Sequence, residues 1–192
     1  MKKIFIVLVL TLVSFSAAAQ RFTVSTNLVD WANYGTINAE FGYSVSQHVS
    51  IVAGAKYNGW DFSKPDGEFT KSIYNKNIVG FAGIRYWPWY VNSGLWLQFK
   101  GQYADYQIAG TWWRPAIDKG KAAGAGLAAG YTFMITEHFN IELGIGGWGG
   151  YLLEHNVYNC KSEMDRNLPR DDSGPRAFID FDNVTAALVF VF

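Results

Sequence analysis

The chain has 192 residues, with 16 basic and 16 acidic side chains, 17% aromatic residues, 20 Gly, 5 Pro and a single cysteine. That is about one domain's worth of length. The absence of a basic excess argues against a nucleic-acid partner, and one cysteine rules out an internal disulfide framework. Abundant Gly beside abundant Trp, Tyr and Phe suits bent strands and interfacial aromatic girdles.

Met1-Lys2-Lys3 is a short cationic head, Ile4 to Val13 is an apolar run, and Ala17-Ala18-Ala19 precedes Gln20. This order of head, core and small-residue cleavage pattern predicts a secretory signal peptide over 1–19. The apolar run is too short for a spanning helix, which needs about 20 residues. No cysteine follows the cleavage site, so a lipid anchor is not expected there. Removing Lys2 and Lys3 leaves 14 basic against 16 acidic side chains, a net charge of −2 on the mature domain 20–192.

Segments of period-two character predict eight strands, at 21–30, 35–45, 49–61, 75–87, 94–108, 121–135, 139–157 and 182–192. No heptad, amphipathic helix or low-complexity linker interrupts them. The connections 46–48, 88–93 and 136–138 are short, whereas 62–74, 109–120 and 158–181 are long and polar. Only the first connection of the second set, 31–34, is short. Outer-membrane barrels alternate in this way, with tight periplasmic turns and longer extracellular loops.

Alternation alone does not separate a membrane barrel from a soluble one, so the quality of the polar face matters. In 94–108, Leu95, Leu97, Phe99, Gly101 and Tyr103 oppose Trp96, Gln98, Lys100 and Gln102. In 49–61, Ile51, Ala53, Ala55 and Tyr57 oppose Ser50, Val52, Gly54, Lys56 and Asn58. The polar faces hold about one central charge per strand, fewer than a face bathed in water carries. Glu40, Lys56, Arg85, Lys100 and Glu142 are therefore placed inside the barrel, as a polar plug that must be paired or wetted. Tyr86, Trp87, Trp89, Tyr90, Tyr131, Phe133 and Phe139 suit a periplasmic aromatic girdle. Tyr57, Trp60, Tyr103, Tyr106 and Tyr151 suit an outer one.

The chain ends N-V-T-A-A-L-V-F-V-F, and Leu188, Phe190 and Phe192 lie on one apolar face. This ending resembles the C-terminal insertion signal of bacterial outer-membrane barrels, read by the barrel-assembly machinery. Such an apolar edge needs pairing, and barrel closure against the first strand supplies it.

Several short pieces, taken in order, resemble a Bacteroidetes family of small outer-membrane barrels known only as a domain of unknown function. They are Thr26-Asn27-Leu28, Gly35-Thr36-Ile37-Asn38 with Glu40 and Gly42, Arg85-Tyr86-Trp87, Gly101-Gln102-Tyr103, Gly124-Ala125-Gly126, Gly130-Tyr131 and Ile141-Glu142 with Gly144 and Gly146. More distantly, the chain is similar to the OmpA and OmpX transmembrane barrels. The resemblance implies an outer-membrane location and supplies no activity. Members often carry two cysteines in the last long loop; only Cys160 is present here, which leaves a loop disulfide in doubt.

Candidate chemistry is sparse. His155 shares parity with Tyr151 and Leu153, which would turn it toward lipid at the outer rim, where a lipid A-modifying hydrolase would keep its base. The nearest serines, Ser162 and Ser173, sit in a loop with no framing motif. His155 with Cys160, Glu163 or Asp165 matches no standard metal spacing. The reading is an all-β, eight-stranded antiparallel up-and-down transmembrane barrel of the cell outer membrane. No catalytic, cofactor or metal site is expected. Its partners would be outer-membrane lipid, lipopolysaccharide, the assembly machinery and any surface protein met by the long loops. The alternatives are the rim hydrolase and a soluble, secreted, lipocalin-like ligand-binding barrel, which would need an apolar interior and a polar outside.

Overall fold

Alternating residues between turn signals set the strands. The computed structural model describes residues 21–61, 74–109, 117–158 and 174–192. The strands are β1 (Phe22–Asn27), β2 (Ile37–Ser44), β3 (Val49–Asp61), β4 (Tyr74–Tyr86), β5 (Gly94–Ala109), β6 (Ile117–Met134), β7 (Phe139–Tyr158) and β8 (Arg176–Val191). They pair antiparallel in sequence order and close into a barrel, the architecture expected from the alternation. β1 meets β8 from Thr23–Val191 to Asn27–Ala187, and the backbones of Phe22 and Phe192 exchange hydrogen bonds of 3.3 and 2.8 Å. The apolar C-terminal strand is thereby paired at its end.

Three boundaries differ from expectation. The first strand stops at Asn27, and residues Leu28–Ala32 form a short helix, α1, where none was expected. Asn27 caps it, accepting a 3.2 Å bond from the Val29 amide, and Asp30 sits in its first turn. Tyr34 and Gly35 then turn back at positive φ, 52° and 68°, into β2. At the other end of the sequence, β6 and β8 begin earlier than predicted, at Ile117 and Arg176. Asp118, Lys119 and Lys121 obscure the apolar alternation there, although the backbone ladder continues.

Two tight turns share one design. Val45-Ser46-Gln47-His48-Val49-Ser50-Ile51 and Ile135-Thr136-Glu137-His138-Phe139-Asn140-Ile141 carry the same spacing of hydroxyl, His and β-branched residues. In each, the hydroxyl accepts a 3.3 Å bond from the His amide. Each His Nδ1 lies at 3.0–3.1 Å from a carbonyl of a neighbouring segment, Trp87 in one case and Val191 in the other. The start of β1, the end of β8 and the tight turns thus gather at one end of the barrel.

Outward residues are mostly apolar, and inward ones are mostly polar or small, with Val52, Leu152 and the indoles of Trp87, Trp96 and Trp148 among them. Leu95, Leu97, Phe99 and Tyr103 point out, whereas Trp96, Gln98, Lys100 and Gln102 are buried. Ile51 and Tyr57 likewise oppose buried Ser50, Val52 and Asn58. The predicted signal segment and the connections 62–73, 110–116 and 159–173, with Cys160, Ser162, Glu163, Asp165 and Ser173, lie outside the described residues.

Candidate functional site

The lumen near the tight-turn end is organised by Arg85. Its parity on β4 turns it inward, where it is 6% exposed. Nη1 donates to both carboxylate oxygens of Glu142, at 3.2 and 3.0 Å, and Nη2 donates to Glu40 at 2.7 Å and Gln98 at 2.9 Å. Thr132 adds a 3.0 Å bond to Glu142. The guanidinium carbon lies 4.4 Å from the Trp96 ring centroid and 5.7 Å from that of Trp87. Gly130 and Gly144 leave the room that the Trp96 indole fills; a Cβ on either would collide with it. A planar, forked cation is suited to this combination of bidentate pairing and stacking.

Lys56, Lys100 and the helix complete the charge balance. Lys56 pairs with Asp30 of α1 at 2.9 Å, and Lys100 lies with its Nζ 4.7 Å from the Phe81 ring centroid. The five positions placed inside from the sequence are thus all luminal, three cations and two anions. Asp30 is a third anion, missed because 21–30 reads as one strand. A signal was present: Asn27-Leu28-Val29-Asp30 has the spacing of an N-cap followed by an acid at the third helical position. Among these groups lies a cavity of about 50 Å³, bordered by Ser25, Asp30, Lys56, Arg85, Lys100 and Glu142. It has room for a few waters.

A second assembly closes the wall above β1. The Asn27 carboxamide donates to the Val184 carbonyl at 3.0 Å and accepts from the Ala186 amide at 2.9 Å, as a further strand residue would. On the other side, Asn38 does the same to Asn27: its Oδ1 accepts from the Asn27 amide at 2.6 Å and its Nδ2 donates to the Asn27 carbonyl at 2.9 Å. Trp31 donates to Thr26 at 2.8 Å, and buried Asn58 donates to Thr36 at 2.8 Å and to the Tyr34 carbonyl at 3.1 Å. Thr26, Asn27, Thr36 and Asn38 belong to the pieces that carry the family resemblance.

The rim site corrects the parity argument for His155. Lys121 pairs with Glu154 but Ala122 pairs with Leu152, so Leu153 is an extra residue in β7 and the following side chains change face. His155 is therefore turned inward and 4% exposed, not directed at lipid. Its Nδ1 lies 3.2 Å from Asp118 and 3.3 Å from the Tyr106 hydroxyl. Arg176 Nη2 lies 3.3 Å from Nε2. Among the described residues, none of these partners is a serine. Among the described residues, no group of His, Cys, Asp and Glu could hold a metal.

Two aromatics also change place. Trp87 is 1% exposed and floors the lumen, donating to Ser50 at 3.0 Å, because it follows the last β4 residue and turns inward. Tyr106 faces inward with Gln102 and Ala104, packing beneath His155. Tyr86, Trp89, Tyr90, Tyr131 and Phe133 are exposed at the tight-turn end, and Tyr57, Tyr103 and Tyr151 toward the loop end. Phe190 and Phe192 are exposed, and Phe190 packs on Phe139 at 5.4 Å between ring centroids. Leu188, paired with Ile141 on β7, shares their outward face.

The described residues thus present a luminal ion-pair network, a helix stitched into the wall, and an inward-turned rim histidine. No curated protein matches the chain, and no solved structure does. The model of one family, described as protein of unknown function (DUF3575), matches residues 4–191, and with nearly the whole chain covered, the protein belongs to that family.

Proposed function

We propose that the protein is a small integral barrel of the outer membrane with a non-enzymatic role in the envelope, presenting its loop end to the cell exterior. One observation carries this reading: the barrel is apolar outside and polar inside. Phe41, Leu127 and Ile145 are 60, 67 and 72% exposed, on separate strands of one continuous belt, while Arg85, Glu142 and Lys100 are buried. Soluble monomers rarely expose contiguous apolar patches beyond a few hundred Å². A soluble lipocalin-like barrel needs the reverse arrangement. Lipid gives the belt an apolar solvent, and closure leaves the paired backbone satisfied within it.

Exposed aromatics at both ends of the belt suit the two interfaces. The predicted signal segment supports export, and Leu188, Phe190 and Phe192 would present the outward C-terminal face to the barrel-assembly machinery. Lipopolysaccharide and any surface protein would meet the loop end. Kinship with Bacteroidetes barrels, and more remotely with OmpA and OmpX, belongs to the same proposal. Flotation of the purified protein with phospholipid vesicles tests the reading. Recovery in the vesicle fraction without detergent is expected; recovery as soluble protein at the bottom of the gradient would overturn it.

A further inference from the structure

The ladder that closes the barrel runs along only part of β8. β1 pairs with it from Thr23–Val191 to Asn27–Ala187, whereas β7 pairs with it as far as Leu152–Arg176. Next to the β1 ladder a single side chain takes over: Asn27 accepts from the Ala186 amide and donates to the Val184 carbonyl, and α1 follows. From Phe181 back to Arg176, no strand among the described residues pairs with that side of β8, and no backbone hydrogen bond reaches it there. β3 likewise loses β2 at Tyr57–Ile37 and continues to Asp61 beside β4. Two strand edges therefore border the place where β1 and β2 would have continued.

The β8 backbone on this side is set for a ladder. Phe192 exchanges both bonds with Phe22, and Ala186 and Val184 bond Asn27, so even-numbered residues turn their peptide groups to the β1 side. One extra β8 residue opposite Gly147 shifts the alternation, so that Ala177 and Ile179 present theirs beyond it. On the outer face beside this edge, Ile179 and Phe181 are 82 and 85% exposed, the highest values among the large apolar side chains described. Ala177 pairs across to Tyr151, one of the aromatics exposed toward the loop end, so the edge lies at the height of the outer girdle. An unpaired edge is a template for another strand, and in hydrocarbon an open one does not persist.

We infer that the β8 edge from Arg176 to Phe181 is a docking site for an extended segment of a second polypeptide, which pairs antiparallel to β8 in the line of β1. The edge itself identifies the occupant. A row of peptide groups is matched in donors, acceptors and repeat by another peptide backbone. The same edge is already met by a strand, β1, and then by the Asn27 carboxamide, itself an amide. A segment continuing that line turns alternate side chains outward beside Ile179 and Phe181, where apolar ones fit. A second copy of this chain does not suit the edge. In barrels standing side by side in one membrane, facing strands tilt in opposite senses by about 35–45°, so two β8 edges cross and form no ladder. That exclusion rests on the membrane reading above; a free extended segment has no such constraint.

The test uses the full-length protein in detergent micelles, with amide hydrogen exchange of β8 followed by NMR. The probe is a capped heptapeptide of alternating Thr and Val. Excess peptide is expected to slow exchange at Ala177 and Ile179 by about 10-fold or more. The same peptide N-methylated at alternate residues, with its side chains intact and donors removed, is expected to give no protection. No protection by the first peptide, or equal protection by both, would overturn the proposal. Protection before any peptide is added would assign the edge to the chain itself or, where it rises with protein concentration, to a second copy; either result overturns the proposal. Ile179→Pro removes one edge donor and leaves the β7 side untouched. It is expected to keep the shift between boiled and unboiled samples in SDS and to lose the protection at Ala177; retained protection would contradict the assigned edge. Vesicle flotation decides the membrane reading separately.

Discussion

Arg85 is the residue on which the luminal core turns. It is held by Glu142, Glu40 and Gln98 and lies against two indoles. Removing one partner of a buried ion pair leaves an uncompensated charge, typically at a cost of about 3–5 kcal/mol. Glu142→Gln is therefore expected to lower stability by about that amount in urea unfolding in detergent, followed by tryptophan fluorescence. A loss below about 1 kcal/mol would mean that the network contributes little beyond packing. Asn27 is a different kind of residue, with one amide serving both as helix cap and as strand surrogate. Asn27→Ala is expected to cost about 1–3 kcal/mol by the same measurement, since it removes a cap and exposes two β8 backbone groups. The five luminal charges were legible because strand parity is a strict period of two. Asp30 was not, because its capping spacing lies inside a stretch that also alternates like a strand.

Among the elements, β7 shows where parity reasoning fails. It holds from Asn140 to Trp148, where inward and outward residues follow the alternation, and it breaks at Leu153. One extra residue leaves no mark on composition, so the inward turn of His155 could not be read from the sequence. Its burial against Asp118 and Arg176 makes a prediction distinct from that of a lipid-facing residue. His155→Ala is expected to destabilise the barrel by about 1–3 kcal/mol, because it removes a buried ring together with its polar contacts to Asp118, Tyr106 and Arg176. A change within about 0.5 kcal/mol, as at ordinary surface positions, would restore the outward reading. The helix α1 was hidden for a related reason: five residues are too few to establish a helical period. The repeated turns at His48 and His138 were open to detection, since their hydroxyl-to-His spacing is the same in both.

Across the whole molecule, the order of strands, the placement of tight turns at one end and the closure of β8 on β1 all followed from alternation and connection length. These signals are spread over many residues, so a local error such as the bulge does not disturb them. The irregular features are local, and they sit where the rule breaks: at the early end of β1, at α1 and at the β7 bulge. The account as a whole stands on the barrel being inverted relative to a soluble protein. Among the described residues 33 large apolar side chains are left exposed, and in water the burial they forgo would exceed the whole stability of a domain, about 5–15 kcal/mol. The most direct test is electrophoresis of the outer-membrane fraction in SDS, comparing boiled with unboiled samples. The account predicts that the protein is found in that fraction and that its band shifts on boiling, as a closed barrel resisting SDS until heated. Protein recovered soluble from the periplasm or medium, with no shift on boiling, would contradict it.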